Sequence, residues 1–167
     1  MVVNKKDNFS IGVNTKIFLK KRFDRSVLMC ILVIMTKLYQ KLTEESKKIK
    51  ERNDCAVKAI AIVCNIKYQD AWKLASKFGR RFGGRTSALK TTYPAIQSKG
   101  FSIDLLKNHK MNKAKTIKSL KPLIPSKGVF LVFTKGHILA VRGGEIHDWT
   151  EDRRHRILAI FRVSKKA

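Results

Sequence analysis

The sequence predicts an α+β protein. Three observations carry that expectation. Residues 51 to 100 read as a run of helices, residues 101 to 165 read as a run of strands joined by glycine-containing turns, and strand and helix never alternate as a parallel βαβ repeat would require. At 167 residues the chain has the length of one domain and can bury its core without staples. Residues 1–49 are expected to form a basic extension with a short apolar segment, and residues 50–167 the folded domain.

Lys20, Lys21, Arg22 and Arg25 precede the apolar run "SVLMCILVIM", residues 26 to 35, an order shared with signal peptides and membrane anchors. The nine apolar residues from Val27 to Met35 make about 13 Å of helix, against the roughly 30 Å of a bilayer core, so they do not span it. No small-residue cleavage site follows. The readings are a helix packed on the domain, a loosely attached extension or a membrane-associated segment, with Met35 as the start of a compact protein a further one. "TKLYQKLTEESKKIK" is a charged helical stretch.

Asn53 or Asp54 caps the next helix, from about Cys55 to Cys64, which is apolar nearly all round and therefore buried on most sides. "YQDAWKLASKFG" carries a stripe of Ala71, Trp72, Leu74, Ala75 and Phe78, with Gly79 as its stop. "RRFGGRT" forms a loop expected at a site rim, and "SALKTTYPAIQSKG" a shorter helix around Pro94. "FSIDLL" is a strand, and "TIKSLKPLIPSKG" a helical turn with a proline-bounded loop. "VFLVF", "HILAV", "EIHDW" and "RILAIFRV" read as antiparallel strands joined by tight turns.

Lys and Arg number 37 against 12 Asp and Glu, a formal net charge of +25. Polyanions will be drawn to such a surface, with an affinity that falls as salt rises. The charge is spread along the chain and is not interleaved with aromatics, so a solvated basic face without base reading is expected. Cys30, Cys55 and Cys64 are odd in number and show no C-x-x-C spacing, which predicts reduced thiols and an intracellular compartment. Helix geometry puts Cys55 and Cys64 on opposite sides, so they do not share a zinc ion. "FGGR" lacks the Lys-Ser/Thr of a phosphate-binding loop.

The chemistry lies in the hairpin "GHILAVRGGEIHDW", residues 136 to 149. Gly143-Gly144 is a two-residue turn signal. With Arg142 paired to Glu145, Leu139 falls opposite Asp148 and His137 opposite Thr150, so His137 and Asp148 are diagonal neighbours on one face. The carboxylate then accepts the imidazole N–H, while His147 faces the other way. Cys55 is the matching nucleophile, since a thiol in the first turn of a buried helix is favoured as thiolate by the helix dipole and a nearby imidazolium. Cys64 and Cys30 read as inert, buried thiols, and His109 and His155 as surface residues.

"NDCAVKAIAI", followed some eighty residues later by "GHILAV" and "HDW", resembles the papain-like cysteine peptidases. The likeness is to the small bacteriophage-encoded kind and to the double-glycine leader peptidases of bacteriocin exporters, over about residues 50 to 163. It implies N-terminal helices with a buried central cysteine helix packed on a C-terminal antiparallel sheet. By position Cys55 matches the nucleophile, His137 the general base and acid, Asp148 the orienting residue, and Trp149 the aromatic that shields the His–acid bond. The family's glutamine about six residues before the cysteine is replaced by Ile49. Gln40 is the nearest upstream glutamine, and Asn53 is the nearest amide that could help hold the oxyanion.

The resemblance implies a thiol hydrolase of peptide or isopeptide bonds, acting on a protein or peptide in a cytoplasm, such as that of a phage-infected bacterium, with no metal or organic cofactor. The same triad suits a peptidoglycan amidase or an acyltransferase. Acidic residues around the scissile bond would match the basic surface. A reading of another class is a non-catalytic basic binding protein that keeps the fold and coats nucleic acid or an anionic membrane.

Overall fold

The computed structural model describes residues 35 to 166, and the expectations placed on Cys30 and on the apolar run before Met35 lie outside the described residues. Helix α1 (Lys37–Lys48) is the charged stretch, opened by Thr36, whose side chain accepts the Tyr39 N–H at 3.3 Å. Lys47 and Lys48 lie in its last turn, where cations meet the negative end of the helix dipole. Met35, Tyr39 and Leu42 join the core that also holds the cysteine helix. The boundary expected at residue 49 therefore does not mark the edge of the packed body among the described residues.

Helix α2 (Cys55–Cys64) is buried at every position from Ala56 to Cys64. Helix α3 (Tyr68–Lys77) buries Tyr68, Ala71 and Ala75. The expected helix around Pro94 is divided: a π-turn over Ala88–Thr92 leads into α4 (Tyr93–Gln97). Proline sits in its first turn, where no intrahelical N–H bond is lost. Then come β1 (Phe101–Leu105), α5 (Ile117–Leu120), β2 (Val129–Thr134), β3 (His137–Arg142), β4 (Glu145–His147) and β5 (Ile157–Lys165).

The strands form one antiparallel sheet in the order β1-β5-β2-β3-β4. Period-two alternation splits β3 between two cores. Ile138 and Ala140 face α2 with Leu131 and Val163, while Leu139 and Val141 face Met111, Ile117 and Leu120 from the segment between β1 and β2. The turn after β3 needs positive φ at both central residues, and Gly143 (+61°) and Gly144 (+85°) supply it. Arg142 pairs with Glu145, the expected register.

Two expectations about the last strands need correction. Strand β4 stops at His147, because the Asp148 side chain turns back to accept the Thr150 N–H at 3.0 Å, a local bond that competes with ladder pairing. No tight turn joins β4 to β5: residues 148 to 156 carry the chain across, and β5 pairs with β1 and β2.

Helix α2 and strand β3 run in the same direction with matching lengths, about 14 Å of helix against about 17 Å of strand. Arg142 fixes their far ends together, donating to the Ile62 carbonyl at 2.8 Å and to Asn65 Oδ1 at 2.9 Å. Their near ends, Cys55 and His137, then meet.

Candidate active site

Asp54 precedes Cys55 at the N-cap, yet its side chain does not cap the helix. It pairs with Lys58 at 3.2 Å and accepts the Tyr68 hydroxyl at 3.0 Å. The first turn of α2 thus lacks the side-chain cap that often satisfies its leading N–H groups. Cys55 is half-buried there. The His137 ring and the Ile138 backbone N–H stand beside its thiol and favour its charged form.

His137 Nε2 lies 2.8 Å from Asp148 Oδ2, which leaves Nδ1 as the ring nitrogen for the sulfur. Burial works against a charged ring, but the hydrogen bonds to Asp148 and Cys55 outweigh it and raise the His137 pKa to about 10. Burial likewise pushes the Cys55 thiol up, and the His137 hydrogen bond and charge, with the Ile138 N–H, bring it below the ordinary thiol value. Both shifts favour a thiolate–imidazolium pair. Trp149, 40% exposed, stands with its ring centre 5.6 Å from that of His137.

Asp148 lies past the last paired residue of β4, so the diagonal expected from a longer ladder forms through a loop. Its buried carboxylate accepts from His137, from the Thr150 N–H and hydroxyl, and from the Tyr39 hydroxyl. Tyr39 is missed by the sequence reading. Its spacing from Leu42 signals a buried face of α1, but nothing local signals a bond to an acid 109 residues on. His147 faces away, as expected: its Nδ1 accepts the Thr36 hydroxyl at 2.8 Å and its Nε2–H donates to the Arg142 carbonyl at 3.2 Å. Burial holds its pKa below the ordinary histidine value. His147 thus ties the start of α1 to the sheet, and α1 brings Tyr39 to Asp148.

A buried ion pair fixes the turn before Cys55. Glu51 and Arg80 meet at 3.1 Å with neither side chain exposed. Glu51 also accepts the Arg52 and Gly83 N–H groups at 2.8 Å and the Trp72 indole N–H. Arg80 donates to the Arg52 and Asn53 carbonyls, the Gly84 carbonyl and the Thr86 hydroxyl. One knot therefore holds residues 51 to 53 against the loop of residues 79 to 87. Breaking such a pair from one side costs about 3–5 kcal/mol, because the remaining charge stays buried.

The cleft above Cys55 has a volume of about 730 Å³ and is lined by Tyr39, Asn53, Lys58, Arg85, Thr86, Phe133, Thr134, Lys135, His137 and Trp149 among others. The "RRFGGRT" loop thus does form part of its rim. Asn53 lies in the wall, with φ of +54°, and one of its amide hydrogens is engaged by the Gly83 carbonyl at 3.0 Å. Gln40 is not among the lining residues; its amide donates to the Met35 carbonyl at 2.8 Å. Cys64 is buried at the other end of α2, and burial pushes its thiol up to about 11. His155 is exposed, edge-on to Trp149 at 5.7 Å, and His109 accepts the Met111 N–H at 3.2 Å.

Among the described residues no three His, Cys, Asp or Glu side chains gather where they could hold a metal ion, and no helix is long and apolar enough to cross a membrane. Compared with known proteins, the chain matches no family model, no curated protein and no solved structure.

Proposed function

We propose that the chain is a papain-like cysteine hydrolase that cleaves a peptide or isopeptide bond. One observation carries the reading: Cys55, at the start of a buried helix, shares a cleft with a histidine ring that Asp148 holds at 2.8 Å. The thiolate attacks the carbonyl carbon, and the carbonyl π electrons move onto oxygen. The tetrahedral intermediate collapses, and the departing amine takes its proton from His137, leaving a thioester on Cys55. His137 then accepts a proton from water, the hydroxide opens the thioester, and the carboxylic acid leaves as the thiolate returns.

The oxyanion would be held by the Cys55 N–H at the uncapped start of α2 and by the second amide hydrogen of Asn53, each donor contributing about 10²–10³-fold in rate. Tyr39, Thr150 and Asp148 act through His137 as positioning groups. An amine or hydroxyl acceptor in place of water would make the same site an acyltransferase, and a cell-wall amide in the cleft would make it an amidase.

The second reading, a basic binding protein that keeps the fold without catalysis, draws on the net charge of +25 and on the engagement of Asn53 by Gly83. A thiol-reactive probe at neutral pH separates the two. Labelling of Cys55 ahead of Cys30 and Cys64, lost in His137→Ala, is expected of the hydrolase. Unselective labelling, together with a steep salt-dependent affinity for duplex DNA, would replace it with the binding protein.

A further inference from the structure

Besides the His137 ring, three Lys and Arg side chains line the cleft, Lys58, Arg85 and Lys135, against one carboxylate, Asp54. Lys58 and Asp54 neutralise each other at 3.2 Å. Arg85 and Lys135 are exposed and make no ion pair among the described residues. They come from different walls: Arg85 from the loop that the Glu51–Arg80 knot anchors, and Lys135 from the turn between β2 and β3, two residues before His137.

A second, independent observation points to an occupant. Thr134 lines the same cleft and pairs across the ladder with His137. It is only 5% exposed, and its hydroxyl has no hydrogen-bond partner. Buried polar groups in native structures are almost always satisfied, so an exception beside a candidate site calls for an explanation.

Resting on the hydrolase reading, we infer that the cleft takes a peptide segment bearing a carboxylate side chain near the bond attacked, with Arg85 and Lys135 as its selecting residues. The Arg85 guanidinium offers the planar fork that a carboxylate fits, and Lys135 a second positive charge. Two like charges in a walled cleft focus the field on an anionic visitor and repel a cationic one. A small opening at Thr134 would let its unpartnered hydroxyl meet the polar backbone of the same segment. A nucleic acid is also anionic, but its sugar–phosphate backbone offers no amide carbonyl to the thiolate, so a peptide is the occupant that also suits Cys55.

Two alkylating agents with the same iodide leaving group but different charge read this directly. Iodoacetate and iodoacetamide are reacted in parallel with the full chain at low salt, and Cys55 and Cys64 are followed by mass spectrometry. The ratio of the iodoacetate to the iodoacetamide rate at Cys55 is expected to fall at least about threefold in Arg85→Glu/Lys135→Glu. Arg85→Gln/Lys135→Gln is expected to lie between the two and keeps the test decisive if charge reversal unfolds the chain, which exposure of Cys64 would report. Polyglutamate is expected to protect Cys55. A ratio untouched by both pairs of substitutions overturns the inference, as does protection by a single-stranded oligonucleotide and not by polyglutamate. If neither reagent labels Cys55 faster than Cys64, the hydrolase reading itself fails and the inference falls with it.

Discussion

Helix α2 begins and ends with a cysteine, and their surroundings shift the two thiols in opposite directions. Burial pushes both upward. At Cys64 only the charge of Lys99 opposes it, and the thiol reaches about 11. At Cys55 the His137 ring and the Ile138 N–H reverse it. The helix itself adds to the contrast, since its positive end lies at Cys55 and its carbonyl end at Cys64. The fastenings differ as well. The first end is held by the fully buried Glu51–Arg80 pair, and the second by Arg142, a partly exposed cation on the last carbonyls. A buried cysteine is inert by default, and it is the partners at one end of the helix that favour its thiolate.

The largest break in this contrast should come from His137→Ala. It leaves Cys55 with its burial and without its imidazole, so its alkylation at pH 7 is expected to drop by about 10²-fold or more, toward the Cys64 rate. Site-resolved mass spectrometry of the alkylated chain checks it. Next is Arg80→Ala, which strands Glu51 in the interior. Thermal or urea unfolding should show a loss of about 3–5 kcal/mol. Cys55 should become less reactive in the folded fraction while Cys64 stays protected.

Cys64→Ser sharpens the contrast from the other side. A buried hydroxyl without a partner is expected to cost about 1–3 kcal/mol of stability, read by the same unfolding curves, with Cys55 labelling at its original rate. The smallest effect lies in the pH profile. As pH falls through the lowered Cys55 value, the thiolate takes up a proton and both alkylation and hydrolysis decline. As pH rises through about 10, His137 loses its proton. Amide hydrolysis should then decline by about tenfold per pH unit for want of a donor to the leaving amine, whereas alkylation, which needs only the thiolate, should persist.

Much of the arrangement is legible without coordinates where the signal is local. Gly143-Gly144 dictates the turn and with it the pairing of Arg142 with Glu145, which places the His147 side chain away from His137. The apolar circumference of residues 56 to 64 dictates a buried helix. The α+β class follows from the order of helical and strand patterns. The limits appear where local and distant bonds compete. The EIHDW stretch alternates as a strand should, but Asp148 bonds to Thr150 and the strand ends at His147.

Other features depend on contacts that no spacing encodes. The charged helix before residue 49 reads as an extension, yet Tyr39 reaches Asp148 and Thr36 reaches His147. Glu51 and Arg80 read as two more charges in a chain of 49 charged residues, but packing buries both completely and makes them the anchor of the cysteine turn. Periodicity and turn chemistry act over a few bonds, so they are written in the order of residues. Burial and partnership depend on which distant segments the collapsed chain brings together, and those two decide whether a thiol is a nucleophile or an inert part of the core.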